Sequence, residues 1–263
     1  MKPIYDYSII DAHCDTLTVF DRERHTLLDA RTHYSFGQEL MYPRFLQVLD
    51  IWADAARHDV HSRVEKYTEE YKKQLGLLKN AGKAEGFSVA EILTAKDLRD
   101  YFGYAEPFAG HAGAVLLGIE GGECVGSEND GLARINGLFE AGVRLITLTW
   151  NTPNAISDTN CKANRTPGLT PFGREIVREM NRLGMIIDLS HISDRGFWDT
   201  LETTSRPVIA SHSDSRKLQP HPRNLTDGMF RALVKNGGAA GINFCGAFLG
   251  GNNDIDRIVE HIE

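Results

Sequence analysis

Seven short apolar runs, nearly all closing on polar residues and all but the first followed by a stretch of helical character, restrict this chain to few folds. The runs are Ile9–Ile10, Phe45–Trp52, Ala114–Ile119, Arg144–Thr149, Met185–Leu189, Pro207–Ala210 and Ala239–Phe244. Helical patterning follows the second run and those after it. Over residues 62–80, Val64, Tyr67, Tyr71, Leu75 and Leu78 recur at steps of three and four, the spacing of one helix face. Glu65, Lys66, Glu69, Glu70, Lys72 and Lys73 occupy the other, solvated face. Further helices are expected over 88–102, 132–141, 171–183, from Ser193 or Asp194 to Thr203, over 227–235, and from Asp254 onward. Thr170 and Pro171 supply an N-cap and a first-turn proline, and Gly142, Gly184 and Gly237 supply C-terminal stops. Residues 21–42 and 152–169 lack periodicity and are expected to be long loops, the second folding over the strand ends.

Apolar strands alternating with amphipathic helices indicate parallel βα units. Two architectures satisfy that alternation, an open doubly wound sheet and a closed (β/α)8 TIM barrel. No glycine-rich phosphate turn follows the first strand, which weakens the dinucleotide-binding version of the open sheet. Polar residues follow nearly every strand instead of clustering at one switch point, and this favours the barrel, whose site gathers at the C-terminal strand ends. The expectation is one α/β domain over residues 1–263.

Apolar residues make up 41% of the chain and charged residues 25%, an ordinary balance for a soluble protein with a large core. A formal net charge of -7 argues against nucleic acid or an anionic membrane as the main partner. No apolar run approaches the roughly 20 residues that span a bilayer. Met1 to Asp6 lacks the apolar core of a signal peptide, so a cytoplasmic location is expected. The four cysteines show no CxxC spacing and no disulfide framework; Cys14 and Cys124 read as buried small residues.

The strand ends carry the chemistry. Residues i and i+2 of an extended segment point the same way, so His13 and Asp15 can address one point in space after a buried first strand. Glu120 follows the third strand, His191 the fifth and His212 the sixth. Three imidazoles and two carboxylates exceed the three protein ligands of a single catalytic zinc. They suit two divalent ions about 3.5–4 Å apart, with a shared carboxylate and a hydroxide between them. Glu120 or Glu123 could instead cap the next helix. Asp188 is expected to support a ligand or face the interior. His25, His33, His58, His61, His111, His221 and His261 lack such a setting and are expected to be solvated.

Several longer motifs join these residues: Asp11-Ala12-His13-Cys14-Asp15, Gly118-Ile119-Glu120-Gly121-Gly122, Leu145-Ile146-Thr147-Leu148-Thr149 and Gly168-Leu169-Thr170-Pro171-Phe172-Gly173. The run from Asn181 to His191, Pro207-Val208-Ile209-Ala210-Ser211-His212-Ser213 and Arg223-Asn224 complete the set. Over nearly its whole length the chain resembles the membrane (renal-type) dipeptidase family of zinc metallopeptidases, which are (β/α)8 barrels. The resemblance implies two zinc ions, His13 and Asp15 on one, His191 and His212 on the other, and Glu120 bridging both. It implies hydrolysis of free dipeptides, including those with a C-terminal D-residue, by the metal-bridging hydroxide. Arg223 would receive the substrate carboxylate, with Trp150 and Asn243 also at the substrate. Mammalian members place a histidine where this chain has Trp150, so Asn151 or the second zinc would steady the oxyanion. Cys245 stands where those members carry a tyrosine.

Seven strands are one short of a closed barrel. The family's eighth strand, whose aspartate handles the proton of the leaving amine, is not found before Glu263. The expectation is therefore a barrel cut inside its seventh helix, with strands one and seven unpaired on one side. Two alternatives to the dipeptidase stand beside it: a metal-binding remnant impaired in catalysis, and another binuclear hydrolase of the amidohydrolase type acting on a cyclic amide or ester. A homodimer is compatible with any of these.

Overall fold

The computed structural model describes residues 6–19, 26–28, 33–52, 55, 59–103, 111–161, 167–251 and 254–263. They fall into two compact units. One comprises Met1–Trp52, His58–Ile119 and Ala141–Arg144; the other comprises Ala53–Arg57, Glu120–Glu140 and Leu145–Glu263.

The first unit runs β1 (Ile9–Asp11), α1 (Thr16–Val19), α2 (Phe36–Glu39), β2 (Phe45–Trp52), α3 (Val60–Glu85), β3 (Phe87–Glu91), α4 (Ala95–Gly103) and most of β4 (His111–Glu120). β1 pairs in parallel with β2, Ile10 opposite Leu46, and β2 is followed in the sheet by β4. The second strand has the expected bounds and is buried almost end to end, as an uninterrupted apolar run requires. α3 buries Val64, Tyr67, Tyr71, Leu75 and Leu78, as their spacing demands, and extends at both ends. Asp59 caps it by accepting from the His61 amide, and Gly86 ends it in the left-handed conformation.

Two expectations fail here. The first strand is not buried: Ile10 is 61% exposed, because β1 pairs with β2 alone among the described residues. The segment 88–102 is not one helix. Residues 87–91 form β3, pairing in parallel with residues 111–115 of β4, and the helix begins only at Ala95. A reciprocal cap sets that start: Asp97 N donates to Thr94 Oγ1 (3.1 Å) and Thr94 N to Asp97 Oδ2 (2.7 Å). The box Thr-x-x-Asp is a helix-start signal, and the short β pairing N-terminal to it is a tertiary choice that periodicity does not report. The loop expected over 21–42 contains α2, and Leu27, Tyr34, Phe36 and Glu39 within it are buried.

The second unit continues with α5 (Gly131–Ala141), β5 (Val143–Thr147), α6 (Pro171–Leu183), β6 (Ile186–Asp188), α7 (Asp194–Thr203), β7 (Ile209–Ala210), α8 (Asp227–Asn236), β8 (Ala239–Ala240), α9 (Gly246–Leu249) and α10 (Ile255–Ile262). The strands pair in parallel in the order β5-β6-β7-β8, with Thr147 opposite Asp188 and Ala210 opposite Ala240. Every strand is shorter than its apolar run, since the chain turns to build the site as soon as pairing ends. The caps of α6 are those expected. Thr170 Oγ1 accepts from Gly173 N, Pro171 opens the first turn and Gly184 closes the helix at φ 77°, a conformation only glycine adopts freely. Ser193, not Asp194, caps α7. In the 152–169 segment Ile156 is fully buried, and Ser157 and Thr159 bridge to Leu169 and Ile192.

Parallel βα units are thus what the alternation builds. No helix among the described residues is long and apolar enough to cross a membrane.

Candidate metal centre

In the first unit the chain leaves β1 at Asp11, whose carboxylate accepts from His13 N at 3.2 Å. The Asp50 amide of β2 donates to Cys14 O at 2.9 Å, so the strand-end turn is tied to the neighbouring strand. His13 Nδ1 lies 3.1 Å from Asp50 Oδ2, and its Nε2 lies 3.7 Å from Asp15 Oδ2. The imidazole thereby has a carboxylate beside each of its nitrogens. Asp50 is fully buried, and a Cβ on Gly118 of β4 would overlap its carboxylate. Glycine at 118 is what admits that carboxylate. Cys14 is buried against Thr16, and burial pushes its thiol up to about 11; Cys124 is buried as well.

In the second unit Glu120, 3% exposed, ends β4. Its Oε1 lies 2.9 Å from His191 Nε2 and 3.3 Å from His212 Nε2. The two Nε2 atoms are 3.1 Å apart. Each ring is fixed from behind. His191 Nδ1 is 2.9 Å from Asn151 Oδ1, and His212 Nδ1 is 2.7 Å from Ser211 Oγ. Ser211 Oγ in turn donates to Asp188 Oδ2 at 2.6 Å. Asp188 also accepts from Thr147 Oγ1, Ser190 N and Ser211 N. It is therefore a buried anchor behind His212, in keeping with its expected supporting place.

His191 adopts φ 68°, a left-handed conformation that costs a side chain with a Cβ about 1–2 kcal/mol. Its carbonyl accepts from Asn160 N and Thr159 Oγ1, both at 2.9 Å. Those bonds hold the turn that swings the imidazole toward Glu120. The ring of Trp150 lies 6.5 Å from that of His191, tilted by 44°.

Arg223, 2% exposed, follows β7. Its Nη1 donates to Ser213 Oγ at 2.9 Å, its guanidinium lies over the Phe248 ring, and Nε and Nη2 have no hydrogen-bond partner among the described residues. Burial lowers its pKa while Glu120 and Asp188 oppose that shift, so it stays charged. Asn243 is tied into the same region: its amide donates to Asp214 Oδ1 at 2.9 Å, and its Nδ2 to His212 O at 3.4 Å.

The donor set fits a divalent metal. In all three histidines Nδ1 faces a carboxylate, an amide oxygen or a hydroxyl, which leaves Nε2 as the ligand atom. Sequence reasoning missed Asp50 and Ser211. A carboxylate inside the buried run Leu49-Asp50-Ile51 was the available signal for the first, and none marked the second. Among the histidines expected to be solvated, His33 is exposed, but His261 is 7% exposed, accepting from Ser215 N and contacting Leu249 O. α10 folds back and buries it. His25, His58 and the His111 side chain lie outside the described residues.

A Klebsiella pneumoniae protein from the pqqA 5' region, uncharacterised, is 40% identical over 146 residues, covering 51% of this chain and 54% of its own. An uncharacterised dipeptidase of Schizosaccharomyces pombe is 38% identical over 151 residues, covering 56% of this chain and 36% of its own. The matched part of the chain thus spans about half the length of the first relative and less of the second. In fold, the chain is similar to a Rhodobacter sphaeroides metallopeptidase crystallised with a phosphinate mimic of the dipeptide L-Ala-D-Ala. The TM-score is 0.69 at 22% identity, covering 99% of this chain and 81% of that one. The profile of the family described as Membrane dipeptidase (Peptidase family M19) matches residues 4–263, and the chain therefore belongs to the membrane dipeptidase family.

Proposed function

We propose that this chain is a dinuclear zinc dipeptidase. Zinc ions, when bound, would supply Lewis-acid polarisation of the scissile carbonyl and a water acidified enough to attack it near neutral pH. His13 and Asp15 would hold one ion, His191 and His212 the other, and Glu120 both. The observation that carries the reading is the approach of Glu120 Oε1 to two Nε2 atoms whose rings are anchored through Nδ1.

The remaining roles belong to the chain's own side chains. Arg223 keeps two buried donor nitrogens for an anionic group, and a guanidinium fork matches a carboxylate. A carboxylate one residue beyond the cut selects dipeptides, and D-residues at that position are included in the proposal. Trp150 and Asn243 would complete the substrate contacts. Asn151 gives its Oδ1 to His191, so its Nδ2 is the donor left for the developing oxyanion.

Metal content after exhaustive dialysis, measured together with hydrolysis of L-Ala-D-Ala, tests the proposal. About two zinc ions per chain and turnover are expected, with Arg223→Met raising KM about 10- to 100-fold through loss of a charge-assisted pair. Fewer than about one zinc per chain with all five ligands intact refutes the metal centre. Bound zinc without turnover refutes the peptidase assignment.

A further inference from the structure

We infer that a basic cleft at the end of α6 and along the connection from α7 to β7 binds a small oxyanion of the phosphate class, inorganic phosphate or a phosphomonoester. The cleft has a volume of about 420 Å³ and is lined by Arg178, Asn181, Arg182, Thr203, Ser205 and Arg206. These residues lie on the helix-to-strand side of their βα units, whereas His191, His212 and Arg223 follow the strands. The inference does not depend on the peptidase reading.

Asn181 is 8% exposed. Its Oδ1 accepts from Ser205 N (2.6 Å), Thr204 Oγ1 (3.0 Å) and Ser205 Oγ (3.1 Å). The backbone donor fixes which end of the amide is oxygen, because a flipped amide would set N–H against N–H. Nδ2 is then a buried donor, and it has no acceptor among the described residues. A buried amide hydrogen without an acceptor is costly, and the acceptor this cleft would supply is an oxygen of its ligand.

The charge around that donor is positive. Arg178 and Arg206 are exposed and form no ion pair among the described residues. Arg182 is engaged by Glu179 through Nε (2.8 Å) and Nη2 (2.7 Å), so it adds little net charge. Thr203 Oγ1 is already used, donating to Asp199 O and accepting from Arg174. Two free guanidiniums and one amide donor describe a tetrahedral oxyanion better than a planar carboxylate, since their hydrogen bonds can reach separate oxygens. The cleft has room for an organic group beyond the phosphoryl.

The test uses the zinc-loaded full chain and isothermal titration with inorganic phosphate and, separately, with phenyl phosphate. Wild type is compared with the Arg178→Gln/Arg206→Gln double variant, whose changes lie on the surface and leave the Asn181 contacts in place. Saturable phosphate binding, weakened at least about tenfold in the double variant with the thermal unfolding midpoint unchanged, is the expected result. Tighter binding of phenyl phosphate would identify the ligand as a phosphomonoester; tighter binding of inorganic phosphate would identify it as the free anion. Equal heats in wild type and variant would assign the binding to the metal centre and overturn the inference. So would the absence of heat at about 10 mM phosphate.

Discussion

Asp50 is the residue through which the metal reading can be tested without touching a ligand. It is fully buried in β2, and its Oδ2 lies 3.1 Å from His13 Nδ1. That proximity puts a carboxylate behind the ring, which leaves Nε2 as the nitrogen for a metal. Asparagine is nearly isosteric but removes the negative charge that makes the imidazole a stronger ligand. Carboxylate partners of metal-bound histidines are worth about 10- to 100-fold in metal affinity, or about 1.4–2.8 kcal/mol. Asp50→Asn should fall near the lower bound and Asp50→Ala near the upper. Gly118→Ala provides an independent route, because its new Cβ would occupy the space of the same carboxylate. It should weaken zinc to a similar degree while costing about 1–3 kcal/mol of stability by overpacking. Competition of each folded variant against a chromophoric zinc chelator measures the affinity of the weaker site. If both variants fold and both hold zinc within about threefold of wild type, the His13–Asp50 contact does not position a ligand and the argument from anchored Nδ1 atoms fails.

Asp188→Ala strands four buried donors, Thr147 Oγ1, Ser211 Oγ, Ser190 N and Ser211 N, and should cost at least about 3 kcal/mol in urea unfolding; a loss below about 1 kcal/mol would mean that solvent replaces the carboxylate. Glu39 is fully buried, accepts from Tyr34 OH at 2.6 Å, and burial raises its pKa well above the usual carboxylate range. Because the folded value lies above the unfolded one, the stability of its protonated form is fully present below about pH 4.3 and is lost as pH rises toward the folded value, by up to about 1.4 kcal/mol per unit. Glu39→Gln should therefore match wild type in acid and exceed it near neutrality in thermal unfolding; parallel pH profiles would contradict this. Of the four cysteines, Cys161 and Cys245 are exposed, while Cys14 and Cys124 are buried. A thiol reagent should label the exposed pair in the native state and the buried pair only on unfolding; labelling of Cys124 in native protein would refute its burial.

The candidate ligands were legible because each stands directly after an apolar run, where a strand must end and its side chains must face the site. The supporting atoms were not. Ser211 looks like any serine beside a histidine, and its value lies in joining His212 to an aspartate of another strand. Asp50 stood in view as a lone carboxylate in a buried run, but nothing local says which imidazole it meets. His261 was misread for the same reason, since only the fold-back of α10 buries it.

Periodicity, caps and strand-end chemistry are local properties, and by themselves they determined the βα alternation, the bounds of β2 and the caps of α6. The tertiary structure decided what depends on partners distant in sequence. It made residues 87–91 a strand by giving them β4 to pair with, left Ile10 exposed, and turned His191 left-handed through Thr159 and Asn160. Partners tens of residues away carry no mark in the local pattern, and such partners stand behind His13 and His191 directly and behind His212 through Ser211.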